Sequence, residues 1–311
     1  MGYNPEKPYK NQIINLIQKT WDTPYLSVKE NTYPIFKAEI DYLQVDHTDG
    51  IGTKGIFHWR RRSFKNAVQD ALAMNLNDLA IVRAVPYKLQ CHLMLPKDDQ
   101  KAILEIMRSL ARECRKYKIA ITGGETSIQN NIKGMDISLT VSGFIKKERK
   151  NQFVKGDVLI GFNSNGLHSN GLTLARRILR EKFSPEFIKP TKIYLDDVLI
   201  LHKKYDIHGM MHITGGAYTK IKSLLKKTDA LIHFDKVKVQ PIFRELYKRG
   251  VDSKEMYRTF NCGIGFIISV AQKDSFKIVS RTKGAYIIGR VVSGSGFVKI
   301  KSMFSKKEIN L

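Results

Sequence analysis

The chain has 311 residues, too many for one typical compact core and enough for two domains. Hydrophobic residues make up 42% and charged residues 26%, which excludes global disorder, and no apolar run nears the ~20 residues of a bilayer-spanning helix. The net charge of +24 admits a nucleic-acid binder, but the densest basic patches, Arg60-Arg61-Arg62 and Lys146-Lys147-Glu148-Arg149-Lys150, lack the interleaved aromatics of a single-strand binder. Lysine is instead spread from Lys7 to Lys307, a composition that steers phosphorylated small substrates, and nucleic acid ranks last among the partners. Residues 1–12 are polar and broken by two prolines, so no signal peptide is expected, and Glu6 stands where a myristoylation signal wants Ser or Thr. Cys91, Cys114 and Cys262 are scattered, which gives neither a disulfide framework nor metal-ligand spacing and points to a reducing cytosol.

In chain order, residues 12–17 read as a short amphipathic helix ending before Pro24. Residues 39–46 read as extended, with a turn-rich segment over 47–54. Apolar residues at helical spacing (Ala67, Val68, Ala71, Leu72, Leu79) predict a helix over 64–82. Tyr87, Leu89, Cys91, Leu93 and Leu95 alternate as a half-buried strand. A second amphipathic helix covers 97–117, and strands are expected at 118–122 and 135–145. The charged run 146–150 marks the domain boundary. Beyond it come a strand at 158–162, a Gly/Ser/Asn loop and a helix at 172–180. Helices at 192–203, 217–227 and 239–249 and strands at 263–270 and 285–293 complete the reading. The irregular alternation implies α+β domains with mostly antiparallel or mixed sheets.

Six clusters could carry chemistry. In Thr48-Asp49-Gly50-Ile51-Gly52-Thr53-Lys54 two nearby glycines let backbone N–H groups approach a phosphate, Lys54 supplies a cation, and Asp49 can hold a magnesium ion. The glycine spacing is not that of a Walker A loop, and an ordinary turn stays open. In Asp70-Ala71-Leu72-Ala73-Met74-Asn75-Leu76-Asn77-Asp78, Asp70 and Asn77 share a helix face with Asp78 beside them: a second set of magnesium ligands, or a solvated face. Gly123-Gly124-Glu125-Thr126 puts a carboxylate on a sharp turn after a strand, equally a common loop. Asn163-Ser164-Asn165-Gly166-Leu167-His168-Ser169-Asn170-Gly171 joins a strand to a helix that Ser169 or Asn170 could cap. The amides there suit an anion, and His168 could assist proton transfer. The remaining histidines, among them His47, His92 and His212, read as structural or surface residues. The last clusters, His212-Ile213-Thr214-Gly215-Gly216 and Arg258-Thr259-Phe260-Asn261-Cys262-Gly263-Ile264-Gly265, lie before a helix and a strand, and each could be merely a turn. No Ser-His-Asp order, zinc spacing or dinucleotide fingerprint competes with them.

Taken in register, these segments resemble the signature set of the phosphoribosylformylglycinamidine cyclo-ligase (AIR synthetase) family. Residues 48–54 are similar to its T-D-G-[VI]-G-T-K loop, 70–79 to its D-x-x-A-M-x-[VL]-N-D-L helix and 123–126 to its G-G-E-T segment. The Gly156-Asp157-Val158-Leu159-Ile160-Gly161 stretch, the 166–171 loop, Pro190-Thr191-Lys192-Ile193-Tyr194, residues 212–216 and the run 255–263 follow in the family's order. Coverage runs from about residue 40 to 295.

The resemblance implies a two-domain α+β fold. Residues 1–148 would form an ATP- and magnesium-binding domain that pairs across a homodimer into a barrel-like sheet, and 149–311 a second α+β domain. It implies ATP-dependent ring closure of formylglycinamidine ribonucleotide to aminoimidazole ribonucleotide, ADP and phosphate, in the cytoplasm. By motif match, Asp49, Lys54, Asp78 and His168 would be catalytic, with Asp49 and Asp78 on magnesium. Gly50, Gly52, Thr53, Asp70, Asn77, Gly123, Gly124, Glu125 and Thr126 would hold ATP and its Mg2+. Ser169, Asn170, Gly215, Gly216, Thr259 and Asn261 would hold substrate.

The chain also departs from the pattern. Residues 27–38 contain no glycine where the family carries a glycine-rich cover, Asp46-His47 replace small residues, Arg83-Ala84-Val85-Pro86 replace G-A-E-P, and Cys91 stands where Asp is usual. Other ATP-using members of the superfamily (thiamine-phosphate kinase, selenophosphate synthetase, a hydrogenase-maturation protein) and a non-catalytic paralogue are the competing readings.

Overall fold

The computed structural model describes residues 8–29, 35–180 and 182–311. The polar 1–12 stretch and the glycine-free 27–38 stretch lie partly outside the described residues. The chain divides into two compact units, Met1–Leu79 with Ala84–Lys147, and Ala80–Arg83 with Glu148–Leu311. Among the described residues, no helix is long and apolar enough to cross a membrane.

The first unit runs α1 (Lys10–Gln18), β1 (Ser27–Lys29), β2 (Ile35–Lys37), β3 (Leu43–Gly50), α2 (Lys54–Arg61), α3 (Phe64–Ile81), β4 (Val85–Leu95), α4 (Gln100–Tyr117), β5 (Ala120–Ile128) and β6 (Asp136–Ile145). α4 buries Ile103, Ile106, Met107, Leu110 and Cys114 at helical spacing. Its N-terminus is capped by Asp99, which accepts from the Ala102 N–H at 3.0 Å. α3 is buried nearly all round: Ala67, Val68, Ala71, Leu72, Leu76 and Ala80 have no exposed surface. Asp70, Asn75 and Asn77 therefore face protein, not water, while Lys65 stays exposed.

The main sheet has strand order β3-β6-β4-β5, with β4 and β5 parallel and the other pairs antiparallel. Pairing across the strands sorts the side chains by face. One row is His47, Val141, Leu89 and Ile121, the next Asp49, Leu139, Cys91 and Gly124. This is the apolar face that meets the helices. On the other face the rows Thr48, Thr140, Gln90, Gly123 and Gly50, Ser138, His92, Glu125 are polar.

Two expected turns prove to be strand. The 47–54 segment is extended through Gly50, because β3 keeps its register with β6 to the end. The Gly123-Gly124-Glu125-Thr126 segment lies in the middle of β5, not on a sharp turn at its end. There Gly124 (φ +154°) lets the two strands close up: a Cβ on it would stand 2.0 Å from the Cys91 carbonyl oxygen.

The second unit contains β7 (Val158–Asn163), α5 (Leu172–Ile178), α6 (Leu195–Lys204), β8 (Ile207–His212), β9 (Thr228–Ile232), α7 (Pro241–Lys248), α8 (Ser253–Thr259), β10 (Ile264–Val270), α9 (Gln272–Arg281), β11 (Ala285–Ser293), β12 (Val298–Lys301) and β13 (Glu308–Asn310). Its seven strands lie in the order β13-β12-β9-β11-β7-β10-β8, antiparallel except for β12 on β9, so the sheet is mixed. β10 is buried along its whole length, which explains its unbroken apolar sequence. The helix expected at 217–227 is a 3-10 helix, Ala217–Leu224. Tyr218, Ile221 and Leu224 are all buried, and their spacing of three matches the 3-10 repeat rather than the α repeat.

Candidate active site

In the first unit the candidate residues separate into an inner and an outer set. Lys54 opens α2 and is 1% exposed, and its Nζ lies 2.8 and 2.7 Å from the two carboxylate oxygens of Asp70. His58, one turn on, brings Nε2 within 2.9 Å of Asp70 Oδ2 and Nδ1 within 2.8 Å of Ser63 Oγ. Burial alone would raise the Asp70 carboxyl, but Lys54 and His58 hold it well below the usual carboxylate range. Lys54 and Asp70 thus neutralise each other inside the unit. That geometry disagrees with a direct phosphate contact by Lys54 and with magnesium ligation by Asp70. Asn77 is equally buried.

The outer set lies where β3 meets α3. Asp49 ends the strand half-buried, and its Oδ1 accepts from the Gly50 N–H at 2.7 Å. Asn75 holds the two elements together. Its Nδ2 donates to the Asp49 carbonyl at 3.1 Å and to the Ala71 carbonyl at 2.9 Å, while its Oδ1 faces His47 Nδ1 at 3.0 Å. His47 Nε2 in turn lies 3.3 Å from Asp78 Oδ2. The hydrogen bond to Asp78 raises the His47 pKa against the opposing effect of burial, and Asp49 adds to it. Of the two candidate metal carboxylates, Asp78 is thus paired with His47 and Asp49 acts on it by charge alone, and His47 is one of the residues that replace small ones in the family pattern. From β6, the half-buried Asp136 lies against the Ile51 and Gly52 backbone N–H groups of the glycine turn, and burial raises its pKa against their opposing effect. No sequence signal marked it.

Glu125 does not join this set. By register it lies on the polar face, three strands from Gly50, about 14 Å away across the sheet and opposite to the face of Asp49. Within this unit, Gly123 and Glu125 lie on the polar face, while Gly124 shares the row of Asp49 at the far edge strand.

In the second unit the topology gathers the remaining candidates. β10 lies between β7 and β8 and runs antiparallel to both, with Ile264 opposite Asn163 and Phe266 opposite His212. The loops after β7 and β8 and the segment before β10 thus emerge at the same sheet end. Asn261 pins them: its Nδ2 donates to the Gly166 and Leu167 carbonyls at 2.9 and 3.0 Å, and its Oδ1 accepts from Ser164 Oγ at 2.8 Å and the Gly263 N–H at 2.9 Å. Asn170 Nδ2 donates to the Ile213 carbonyl at 2.9 Å. Both amides are buried and engaged with backbone, so they shape the loop.

His168 adopts φ +60° and is 1% exposed, with Nε2 2.8 Å from Asn165 Oδ1. Ser169 Oγ lies 3.1 Å from Thr191 Oγ1, which ties in the Pro190-Thr191-Lys192 segment. Neither Ser169 nor Asn170 caps α5. The N-cap is Gly171 (φ +64°), where a Cβ would come 2.4 Å from the Phe260 ring and 2.7 Å from Thr259 Cγ2. Thr259 donates to Glu255. Gly215 has open space around it, and Gly216 precedes the 3-10 turn.

Comparison with known proteins agrees with these motifs. Residues 35–145 match the family described as AIR synthase related protein, N-terminal domain, and residues 154–301 its C-terminal domain. The phosphoribosylformylglycinamidine cyclo-ligase of Saccharolobus solfataricus is 31% identical over 299 residues, covering 93% of this chain and 90% of that protein. Its counterpart in Methanococcus vannielii is 34% identical over 292 residues, covering 86% and 82%. Among solved structures, the hydrogenase maturation protein HypE in complex with ATP superimposes with a TM-score of 0.74 at 18% identity, over 99% of this chain and 95% of that one. Thiamine-monophosphate kinase from Stenotrophomonas maltophilia gives 0.70 at 16%, over 97% and 98%. At such identities these two likenesses speak to the fold alone.

Proposed function

The chain belongs to the phosphoribosylformylglycinamidine cyclo-ligase (AIR synthetase) family, and from that membership we propose its reaction: ATP-dependent closure of formylglycinamidine ribonucleotide to aminoimidazole ribonucleotide, ADP and phosphate. The observation that carries this reading is likeness to named cyclo-ligases along nearly the whole chain, through both units. In this reading the formyl oxygen attacks the γ-phosphorus of ATP, and the bond to the bridging oxygen breaks to release ADP. A substrate nitrogen then adds to the activated carbon, phosphate leaves with the former formyl oxygen, and the nitrogen gives up a proton.

What the chain must do is hold the phosphates, neutralise the transferring group and fix the nitrogen in line. Magnesium is taken up through one or two carboxylates, phosphate oxygens and waters. Asp49 and Asp78, both near His47 at the open end of β3, suit that donor set. Among the described residues no group of three or more acidic, histidine or cysteine side chains forms a closed cage. Bound there, the ion supplies charge neutralisation at the phosphoryl group. The glycine turn 50–53, beside Asp136, offers backbone N–H groups to phosphate, whereas the Gly123 to Thr126 segment, with Glu125 three strands away on the other face, would share the nucleotide-binding role only where a second chain brings it to that turn. The Lys54–Asp70–His58 cluster holds the start of α2 in place below that turn. In the second unit, His168 and Ser169 act on the substrate side, with Gly215, Gly216 and Thr259 lining it and Asn170 and Asn261 fixing the loop.

We also take the chain to be a homodimer in which the four-stranded sheets pair into a barrel. β3 and β5 are the edge strands of that sheet, β5 being met at Ile121 by the Thr20 and Trp21 side chains, and the second face of the sheet is polar. A reducing cytoplasm fits three cysteines that are all free and buried.

Purified protein given ATP, magnesium and formylglycinamidine ribonucleotide tests the reading. Matched release of ADP and aminoimidazole ribonucleotide is expected, and ATP consumption that ignores the substrate contradicts it.

A further inference from the structure

In the second unit, α6 and the junction from α9 into β11 enclose a cavity of about 580 Å3. None of the candidate catalytic, nucleotide or substrate side chains lines it, although Asn163, which opens the 163–171 loop, and Lys192, of the 190–194 segment, do. Four cations do: Lys192 before α6, Lys204 in its last turn, Arg281 at the end of α9, and Lys283 beyond it. Asp197 is the one acidic lining residue.

Part of this positive charge has a local reason, because helix C-termini attract cations. Each terminus contributes roughly half a negative charge, so two termini and Asp197 offset about two of the four cations. Roughly two positive charges remain facing a cavity. The polar groups around them are held in place. Arg281 Nη1 points to Tyr205 Oη at 3.5 Å, and Lys192 Nζ donates to the neutral Asn163 Oδ1 at 3.1 Å while lying 5.0 Å from the Tyr194 ring centroid. Burial pushes the Lys192 ammonium below its ordinary range, and Asp197 only partly opposes this. An anion placed in the cavity would remove that penalty. Ile200, 52% exposed, adds an apolar wall suited to the uncharged part of an ester.

We propose that this cavity, beside the 163–171 loop but distinct from the candidate catalytic and substrate side chains, is an anion-binding site taking the phosphoryl group of free phosphate, pyrophosphate or a small phosphorylated metabolite between Lys192, Lys204, Arg281 and Lys283. Occupancy would clamp α6 against the α9–β11 junction through charge-assisted hydrogen bonds.

The test is isothermal titration of the full chain, with its nucleotide site first saturated by a non-hydrolysable ATP analogue and magnesium. Inorganic phosphate, pyrophosphate and AMP are titrated separately. One equivalent per chain is expected, weakened by salt. Tighter uptake of AMP than of phosphate identifies an ester as the ligand, and tighter phosphate or pyrophosphate identifies the free anion. The double variant Lys204→Ala/Arg281→Ala changes two exposed side chains, and it should bind at least about tenfold more weakly with unaltered melting temperature and basal turnover. The control Lys203→Ala/Lys277→Ala removes two exposed cations of the same helices that do not line the cavity, and should bind as the parent does. Absence of uptake by the parent chain, or equal weakening in both double variants, overturns the proposal.

Discussion

At the scale of single residues, position inside the protein separates roles that motif spacing had merged. Lys54 and Asp70 neutralise each other away from water. Removing one partner strands the other's charge, so Asp70→Asn is expected to cost about 3 to 5 kcal/mol in urea unfolding, with Lys54→Met in the same range. The apolar double variant Lys54→Met/Asp70→Leu should lose less than the sum of the two. A Lys54 that served phosphate alone would leave stability untouched. Asp49 is the opposite case, half-buried near a strand end, where its side chain accepts from the neighbouring Gly50 N–H. Asp49→Asn should keep the melting temperature within a few degrees and lower turnover by about 100-fold or more. Asp49, Asp78 and His168 can be named as candidates from the sequence because each sits in a short segment with its own pattern. Asn75, His47 and Asp136 cannot, since what distinguishes them is a partner 26 or more positions away, or in a strand across the sheet.

At the scale of elements, the second unit's site depends on how tightly one strand end holds its loops. Gly171→Ala would force a methyl into Phe260 at a left-handed backbone position. A loss of about 1–3 kcal/mol in thermal unfolding is expected, with a rise in KM as the 163–171 loop shifts. Asp229 does similar work for the β9–β12 pair: its Oδ1 accepts from the Ser295, Gly296 and Phe297 N–H groups at 2.8, 3.0 and 2.9 Å, and Lys299 lies 2.9 Å from Oδ2. Burial opposes ionisation, yet these donors hold its pKa down at about 2. A depressed carboxyl stabilises the fold above its unfolded pKa and loses that contribution as pH falls through the folded one. The effect should therefore fade between about pH 4 and 2. Asp229→Asn should melt lower at neutral pH and show a flatter acid limb over that window, read as melting temperature against pH. Long elements, periodic as in α4 and β4 or apolar nearly throughout as in α3 and β10, could be read from the sequence. α8 could have been, since Asp252 caps it by accepting from the Lys254 and Glu255 N–H groups. The short strands β9, β12 and β13 could not, because three to five residues hold too little pattern and pairing alone defines them.

At the scale of the whole molecule, the four-stranded sheet leaves β3 and β5 as edges and turns a polar face outward. The proposed dimer closes those edges, so sedimentation equilibrium should report twice the 35.6 kDa of one chain. A monomer at micromolar concentration would refute the barrel. The measurement that bears most directly on the reaction itself uses formylglycinamidine ribonucleotide labelled with oxygen-18 in its formyl group, with ATP and magnesium, and mass analysis of the phosphate released. Attack of that oxygen on ATP predicts one labelled oxygen in each inorganic phosphate, formed in step with ADP and aminoimidazole ribonucleotide. Unlabelled phosphate would mean that water took the phosphoryl group, and would contradict a cyclo-ligase working through an activated formyl oxygen.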